Sequence, residues 1–474
     1  MLLRFTAITY DLYLDKSCCC QQKHQYYPLL HANVRYLKLL TMKKCLYTSC
    51  ISEDISNNDS YVEVKTVLPN AASLKKLKSK LKIKWKRNGE AAFHRTCWND
   101  LLKSSRARKK YTDLPVLSAE EKCLVKEASK TAEFFDSRKT LKEGAAKCAK
   151  LIKSSKHCIA FTGAGISTSA GIGDYRGKSG KWTQQDHDAV DMDAVLGTSG
   201  EPQDEEEPEV VTKKLKKSDS LDSDVKEEDM EEEPDGVSYE SLRPTYTHEA
   251  LQKLVEKGYL KYIISQNGDG LHGLSGVAAE NMSELHGNVF IEICEKCNTR
   301  YSRPYYTMDD AGSQYFEEME DYGKSTVSKP PHAKKCDKCG LSHRTGRRCD
   351  KKDCKGHLND SIINFGDHLE DDILDRAVHH SEQSDLMLCL GSTLTVTPAN
   401  SLVEMSKEQH RLAICNRQKT HMDKKLGHGV RVFGDCDVFM KEVMRGLFDD
   451  EELTTWEEGR QKRMKHYDSQ RTPV

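Results

Sequence analysis

Two sets of residues in this 474-residue chain have types and spacing suited to chemistry. The first is Gly163-Ala164-Gly165-Ile166-Ser167-Thr168, which directly follows the apolar stretch Cys158–Phe161. The order predicts a strand, a glycine turn and a helix start. Gly163 and Gly165 lack the Cβ atoms that would keep a pyrophosphate from backbone N–H groups, and a helix N-terminus there would favour the anion. Asp174, Tyr175, Arg176 and Trp182 come within about one loop length, so an acid, a cation and two aromatics are available to line a dinucleotide. The second set is thiols. Cys294 and Cys297 form a Cys-x-x-Cys knuckle suited to tetrahedral zinc. Their partners are ambiguous on spacing: Cys336 and Cys339 repeat the knuckle, whereas Cys349 and Cys354 lie further apart. Spacing alone favours the former pair.

These residues need a scaffold. Tyr262–Ile264 reads as a buried strand and runs into Ser265-Gln266-Asn267-Gly268-Asp269-Gly270-Leu271-His272, rich in amides and carrying an acid. Leu386–Leu390 ends in Gly391-Ser392-Thr393, and Leu412–Cys415 ends in Asn416-Arg417-Gln418. Polar groups thus recur at strand C-terminal ends, where open α/β sheets bind ligands. Between Ala119 and Lys156, Leu124, Ala128, Leu141, Ala145, Cys148 and Ile152 have helical spacing that would cover such a sheet.

From about Leu141 to Leu447 the chain closely resembles the sirtuin family. The motifs that carry the resemblance are Gly163-Ala164-Gly165-Ile166-Ser167, Gly171-Ile172-Gly173-Asp174-Tyr175-Arg176, Ser265 to His272, Glu284-Leu285-His286-Gly287-Asn288, Phe365-Gly366-Asp367 and Leu390-Gly391-Ser392-Thr393-Leu394. Gly180-Lys181-Trp182-Thr183, Arg243 to His248 and Val289 to Cys294 resemble the nuclear class IV branch, the sixth and seventh sirtuins.

The resemblance implies an α/β fold: a large domain with a Rossmann-like parallel sheet and a small zinc-binding domain. It also implies an NAD-dependent protein-lysine deacylase that yields nicotinamide and O-acyl-ADP-ribose from acylated histone or other nuclear lysines. His286 would be the general base on a ribose hydroxyl, a task suited to imidazole because its ordinary pKa lies near working pH. Gly163, Ala164, Gly165 and Thr168 would line the pyrophosphate loop, Tyr175 and Arg176, with Asp174 before them, would face the diphosphate and nicotinamide ribose, and Trp182 would pack at the cofactor's edge. Gln266, Asn267 and Asp269 would hold the ribose and carboxamide. Gly391, Thr393, Asn416, Gln418 and Cys436 would surround the adenosine half. One structural zinc would sit on Cys294, Cys297, Cys349 and Cys354, because Gly346-Arg347-Arg348 and Lys355 to Asp360 match the family's flanks. Cys336 and Cys339 would then be free, or join His332 or His343 in a second site.

The chain departs from the family at two positions. Gly173 replaces a proline, loosening the cofactor loop, and Gly268 replaces a branched apolar residue, which predicts weaker nicotinamide inhibition and room for longer acyl chains. Alternative readings are mono-ADP-ribosyl transfer or a non-catalytic NAD-sensing chromatin scaffold.

Composition sets the remaining bounds. The chain is 37% hydrophobic and 31% charged with net charge −1, so apolar residues must concentrate in part of it. The expected organisation is a basic, poorly ordered region over 1–115, the first part of the Rossmann-like domain over 116–290, the small domain over 291–359, its second part over 360–447, and a charged tail over 448–474. An insertion at about 197–242 is expected to be disordered, because Glu201 to Glu240 holds seventeen acids against five lysines. The basic runs Ser73 to Arg87 and Lys213 to Lys217 suit nuclear import or nucleic-acid contact. No secretory leader or membrane-spanning stretch is expected, Met42 is an alternative start, and the location implied is the nucleus.

Overall fold

The computed structural model describes residues 43–70, 73–74, 81–107, 113–173, 238–307, 336–338, 343–405 and 411–472, with scattered positions between 178 and 195. Strand β1 (Tyr61–Lys65) pairs antiparallel with both β2 (Glu90–His94) and β3 (Glu133–Phe135), giving the order β2-β1-β3. Alternate residues Val62, Val64, Ala91 and Phe93 point inward, as a half-buried sheet requires. Helices α1 (Arg95–Arg106) and α2 (Ala119–Ala128) flank it, with Trp98, Leu101 and Val125 completing the core. The expectation of a poorly ordered region over 1–115 is therefore wrong across the described residues 43–70 and 81–107. The lysine-rich composition hid a short period-two pattern whose inward side chains find a common core. The helix expected over 119–156 is also interrupted, because Glu133-Phe134-Phe135 forms a strand between two helices.

Helix α3 (Arg138–Ser154) starts where the Ser137 hydroxyl accepts from the Thr140 amide, and buries Leu141, Ala145, Cys148, Ala149 and Ile152 along one stripe. It leads into β4 (Cys158–Thr162), which is buried throughout. Past α4 (Tyr246–Glu256) come β5 (Tyr262–Ser265) and β6 (Met282–Glu284). A small antiparallel sheet then forms from β7 (Ile291–Cys294), β8 (Arg300–Ser302), β9 (Arg344–Arg348) and β10 (His357–Asp360), in the order β8-β7-β10-β9. The chain returns through α5 (Asp371–Gln383), β11 (Leu386–Leu390), β12 (Leu412–Cys415), β13 (Val430–Val432) and α6 (Cys436–Leu447).

The large sheet is six-stranded and parallel, ordered β13-β12-β11-β4-β5-β6. Both faces are covered. Cys158 and Ala160 pack under α3, α4 and α6, while Ile159 and Phe161 pack under α5, which is why the strands read as continuous apolar runs. From β4 the chain builds outward to one side and then, from β11, to the other. The sheet therefore has a topological switch point between β4 and β11, the place where such folds open a crevice.

The C-terminal residues are not a loose tail. Helices α7 (Asp450–Glu458) and α8 (Arg460–Ser469) dock on α4, where Glu249, 2% exposed, accepts from Arg460, from Arg463 Nε at 2.8 Å and from Tyr467 at 3.1 Å. A buried carboxylate needs such partners, and only the folded arrangement brings residues more than two hundred positions apart to it. Among the described residues no helix is long and apolar enough to cross a membrane.

Candidate functional site

The glycine loop sits at the switch point. Gly163 N–H donates to the Leu390 carbonyl at 3.0 Å, and Gly165 N–H donates to the Gly391 carbonyl at 2.8 Å. A Cβ on Gly165 would lie 2.7 Å from Gly391 Cα, and one on Gly391, whose φ is +64°, would lie 2.5 Å from Ile166 N. Glycine is required here because two backbones touch. The expected phosphate cradle is thereby corrected in two ways. The two glycine amides are already spent on carbonyls rather than left for a phosphate. The loop also continues into a pair of three-residue 3-10 turns, Ala164–Ile166 and Thr168–Ala170, rather than a helix with a useful dipole.

A small open cleft lies beside this contact, lined by Gly165, Thr168, Gly391, Asn416, Gln418 and Cys436 together with Arg417, Gly434 and Asp435. Arg417 stood in a strand-end polar run without an assigned role, and Gly434 and Asp435 were missed from sequence. Arg417 Nε donates to Asp435 Oδ1 at 2.7 Å, and this pairing joins the end of β12 to the start of α6, which opens on the cleft. Their adjacency to Asn416 and Cys436 was the only signal. Ala164 is half-buried on the loop, while the Thr393 hydroxyl lies 2.9 Å from that of Thr395 rather than in this cleft. Asp174, Tyr175, Arg176 and Trp182 lie outside the described residues.

On the other side of β4, the turn after β5 forms a polar network with the glycine loop. Ser167 Oγ donates to Asp269 Oδ2 at 2.6 Å, and Asn267 Nδ2 donates to the Gly163 carbonyl at 3.3 Å and to Ser167 Oγ at 3.2 Å. Asp269 Oδ1 accepts from Leu271 N, and Gln266 Oε1 accepts from Ser392 Oγ at 2.7 Å. Ser167 and Ser392 thus position residues that sequence reasoning had treated singly. Beneath the loop, Thr162 Oγ1 lies 3.0 Å from His272 Nε2, and the His272 ring meets the His248 ring edge-on at 4.8 Å between centroids. Burial drives the pKa of each of these histidines down to about 3, so both are neutral.

His286 comes after β6, with Nδ1 2.8 Å from the Gln266 carbonyl oxygen. A carbonyl only accepts, so Nδ1 carries the proton and Nε2 presents a lone pair. Burial lowers the His286 pKa below its ordinary value of 6.5, opposed by the bond to Gln266. Nearby, burial raises Glu284 to about 7 against the two hydrogen bonds that Asn288 Nδ2 donates to it, at 2.8 and 3.0 Å.

The small sheet gathers Cys294, Cys297, Cys349 and Cys354, whose sulfurs lie within 4.8 Å of one another. Cys294 and Cys354 are 3.5 Å apart, and Cys297 and Cys349 are 3.7 Å apart, close to the edge of about 3.8 Å that Zn–S bonds of about 2.3 Å give a tetrahedron. A Cβ on Gly356 would lie 2.6 Å from Cys294 Sγ, so the turn before β10 is shaped around the cluster. The four thiols are consistent with a structural zinc site. Cys336 instead lies 3.3 Å from Asp367 Oδ1, and His343 Nε2 lies 3.3 Å from Asp367 Oδ2, a separate group of three. Cys339 and His332 lie outside the described residues.

Comparison with known proteins finds relatives of this chain. Residues 163–398 match the model of the Sir2 family. The NAD-dependent protein deacetylase SRT1 of Arabidopsis thaliana is 32% identical, over 67% of this chain and 52% of its own length. The NAD-dependent protein deacetylase Sirt6 of Drosophila melanogaster is 33% identical, over 66% of this chain and 78% of its own. The NAD-dependent protein deacetylase sirtuin-7 of Homo sapiens is 28% identical, over 66% and 62%. The chain thus spans about half the length of the Arabidopsis relative and more of the other two.

Proposed function

Because the chain belongs to the Sir2 family, we propose that it is an NAD-dependent protein-lysine deacylase that releases nicotinamide and passes the acyl group to ADP-ribose. The observation that carries this reading is the 2.8 Å contact between His286 Nδ1 and the Gln266 carbonyl, which calls for the proton on Nδ1 and leaves Nε2 basic. NAD supplies the ribose that receives the acyl group. The chain's own residues do the rest. The cleft of Gly165, Thr168, Gly391, Asn416, Gln418 and Cys436 takes the adenosine half. Gln266, Asn267 and Asp269, fixed by Ser392, Gly163 and Ser167, hold the nicotinamide ribose and carboxamide. His286 Nε2 takes a proton from a ribose hydroxyl, and the low-dielectric surroundings that lower its pKa keep it in the basic form at neutral pH. The four-cysteine site is structural, since four thiolates close the zinc coordination sphere and leave no position for water.

We propose acetylated nuclear proteins, histones among them, as substrates and the nucleus as location, on the resemblance of Arg243 to His248 and Val289 to Cys294 to the nuclear class IV branch. Ser73 to Arg87 lies only partly, and Lys213 to Lys217 not at all, within the described residues. The test is a deacylation assay on an acetylated histone peptide run beside transfer of labelled NAD to protein. Deacetylated peptide with no labelled protein supports the reading. Labelled protein without deacetylation replaces it with mono-ADP-ribosyl transfer.

A further inference from the structure

The N-terminal module contains a cluster that the catalytic reading does not use. Cys45, Cys50, His94 and Cys97 bring one ligand atom each to within 4.8 Å of one another. Cys50 Sγ lies 3.4 Å from His94 Nδ1 and 3.5 Å from Cys97 Sγ. Three of the four residues are half-buried and Cys45 is buried, and none is in a disulfide. We infer that these four residues form a second zinc site, of the three-thiolate, one-imidazole type, built into the N-terminal module.

Three features support it. The separations match a tetrahedron whose S–S edge is about 3.8 Å. The scaffold supplies the ligands as two local pairs: Cys45 and Cys50 flank a tight turn closed by Cys50 N–H donating to the Tyr47 carbonyl at 3.1 Å, while His94 ends β2 and Cys97 lies in the first turn of α1. His94 also has an outer partner. Its Nδ1 faces the thiols while Nε2 lies 3.9 Å from Asp59 Oδ2, so a proton on Nε2 is attracted by the carboxylate and Nδ1 keeps its lone pair for a metal. Metal-ligating histidines commonly have a carboxylate near the outer ring nitrogen, and Asp59 stands on that side of His94 at ion-pair rather than hydrogen-bond distance.

With all four positions filled by protein, the ion would be structural. It would hold more than its own module. Arg95, between the ligands His94 and Cys97, pairs with Asp136 at 2.8 Å and lies 5.0 Å over the Phe433 ring, while Phe134 N–H donates to the Arg417 carbonyl at 2.7 Å. Arg417 lines the cleft. The metal therefore braces the module that packs against the adenosine end of the site.

The test counts zinc in the full chain purified without chelator. We expect two ions per chain in the unaltered protein, one in Cys50→Ser and in Cys97→Ser, and two in His94→Cys. Since a serine variant can unfold, alkylation of the unaltered protein followed by mass spectrometry gives an independent reading. Cys45, Cys50 and Cys97 should resist alkylation and become reactive when zinc is stripped. One zinc per chain, an unchanged count in Cys50→Ser, a Cys50–Cys97 disulfide, or alkylation at the same rate with and without chelator would overturn the assignment.

Discussion

The Nδ1 atom of His286 lies 2.8 Å from the main-chain carbonyl of Gln266, so a strand-end loop on one side of the pocket fixes which nitrogen of the imidazole is basic. Its consequence is a pH dependence. The base must be neutral, and burial lowers the pKa of His286 below 6.5. The acid limb of kcat/KM for deacylation should therefore rise with pH and bend below pH 6.5. His286→Gln should lose that limb along with about 10²–10⁴-fold of the rate. An acid limb that survives in the variant would assign it to another group.

Stability should depend on pH through a different pair. His248 and His272 are buried with pKa values of about 3 against 6.5 in the unfolded chain. Between these values the unfolded state binds more protons, so stability rises with pH and is lost as pH falls from 6.5 toward 3. Each histidine contributes a slope of up to about 1.4 kcal/mol per pH unit. Denaturant titrations at pH 7 and pH 5.5 should show the loss, and His248→Gln should reduce it. Equal slopes in variant and parent would show that His248 contributes nothing to it.

The glycines divide by what surrounds them. An alanine at Gly391 meets Ile166 N at 2.5 Å with φ at +64°, whereas at Gly173 nothing lies within 4 Å. Gly391→Ala should cost on the order of 2 kcal/mol or more and weaken NAD binding, and Gly173→Ala should leave thermal stability nearly unchanged. Calorimetry with and without NAD reads both, and a benign Gly391→Ala would contradict the close backbone packing.

Gly268 has room for a side chain: a Cβ there would lie 3.4 Å from Ile362 Cδ1 and 3.6 Å from the Gly287 carbonyl. Gly268→Val should fold normally, strengthen nicotinamide inhibition and narrow the acyl chains accepted. If both properties match the parent protein, the volume at position 268 does not set them.

The strands that carry the site were legible in the sequence because β4, β5, β11 and β12 are buried on both faces and so appear as uninterrupted apolar runs ending in polar residues. Strands β6 and β13, each three residues long, give no such run, and the first module was masked by its lysines. The cleft residues Asn416, Gln418 and Cys436 were found through family motifs. Arg417, Ser167 and Ser392 stood in the same runs and motifs without a role, because their importance lies in bonds to distant residues such as Asp435, Asp269 and Gln266. Cys45, Cys50, His94 and Cys97 escaped notice because the pairs are separated by more than forty residues and meet only where Leu46 N–H donates to the Ala92 carbonyl of β2 at 2.9 Å.

Whether the Gln266-fixed imidazole serves a pocket that splits NAD is read from nicotinamide release in the presence of an acetylated histone peptide. Release should depend on the peptide, and His286→Tyr should abolish it while keeping the parent's melting temperature within a few degrees. No release from the folded parent protein, or equal release from parent and His286→Tyr, would refute the mechanism.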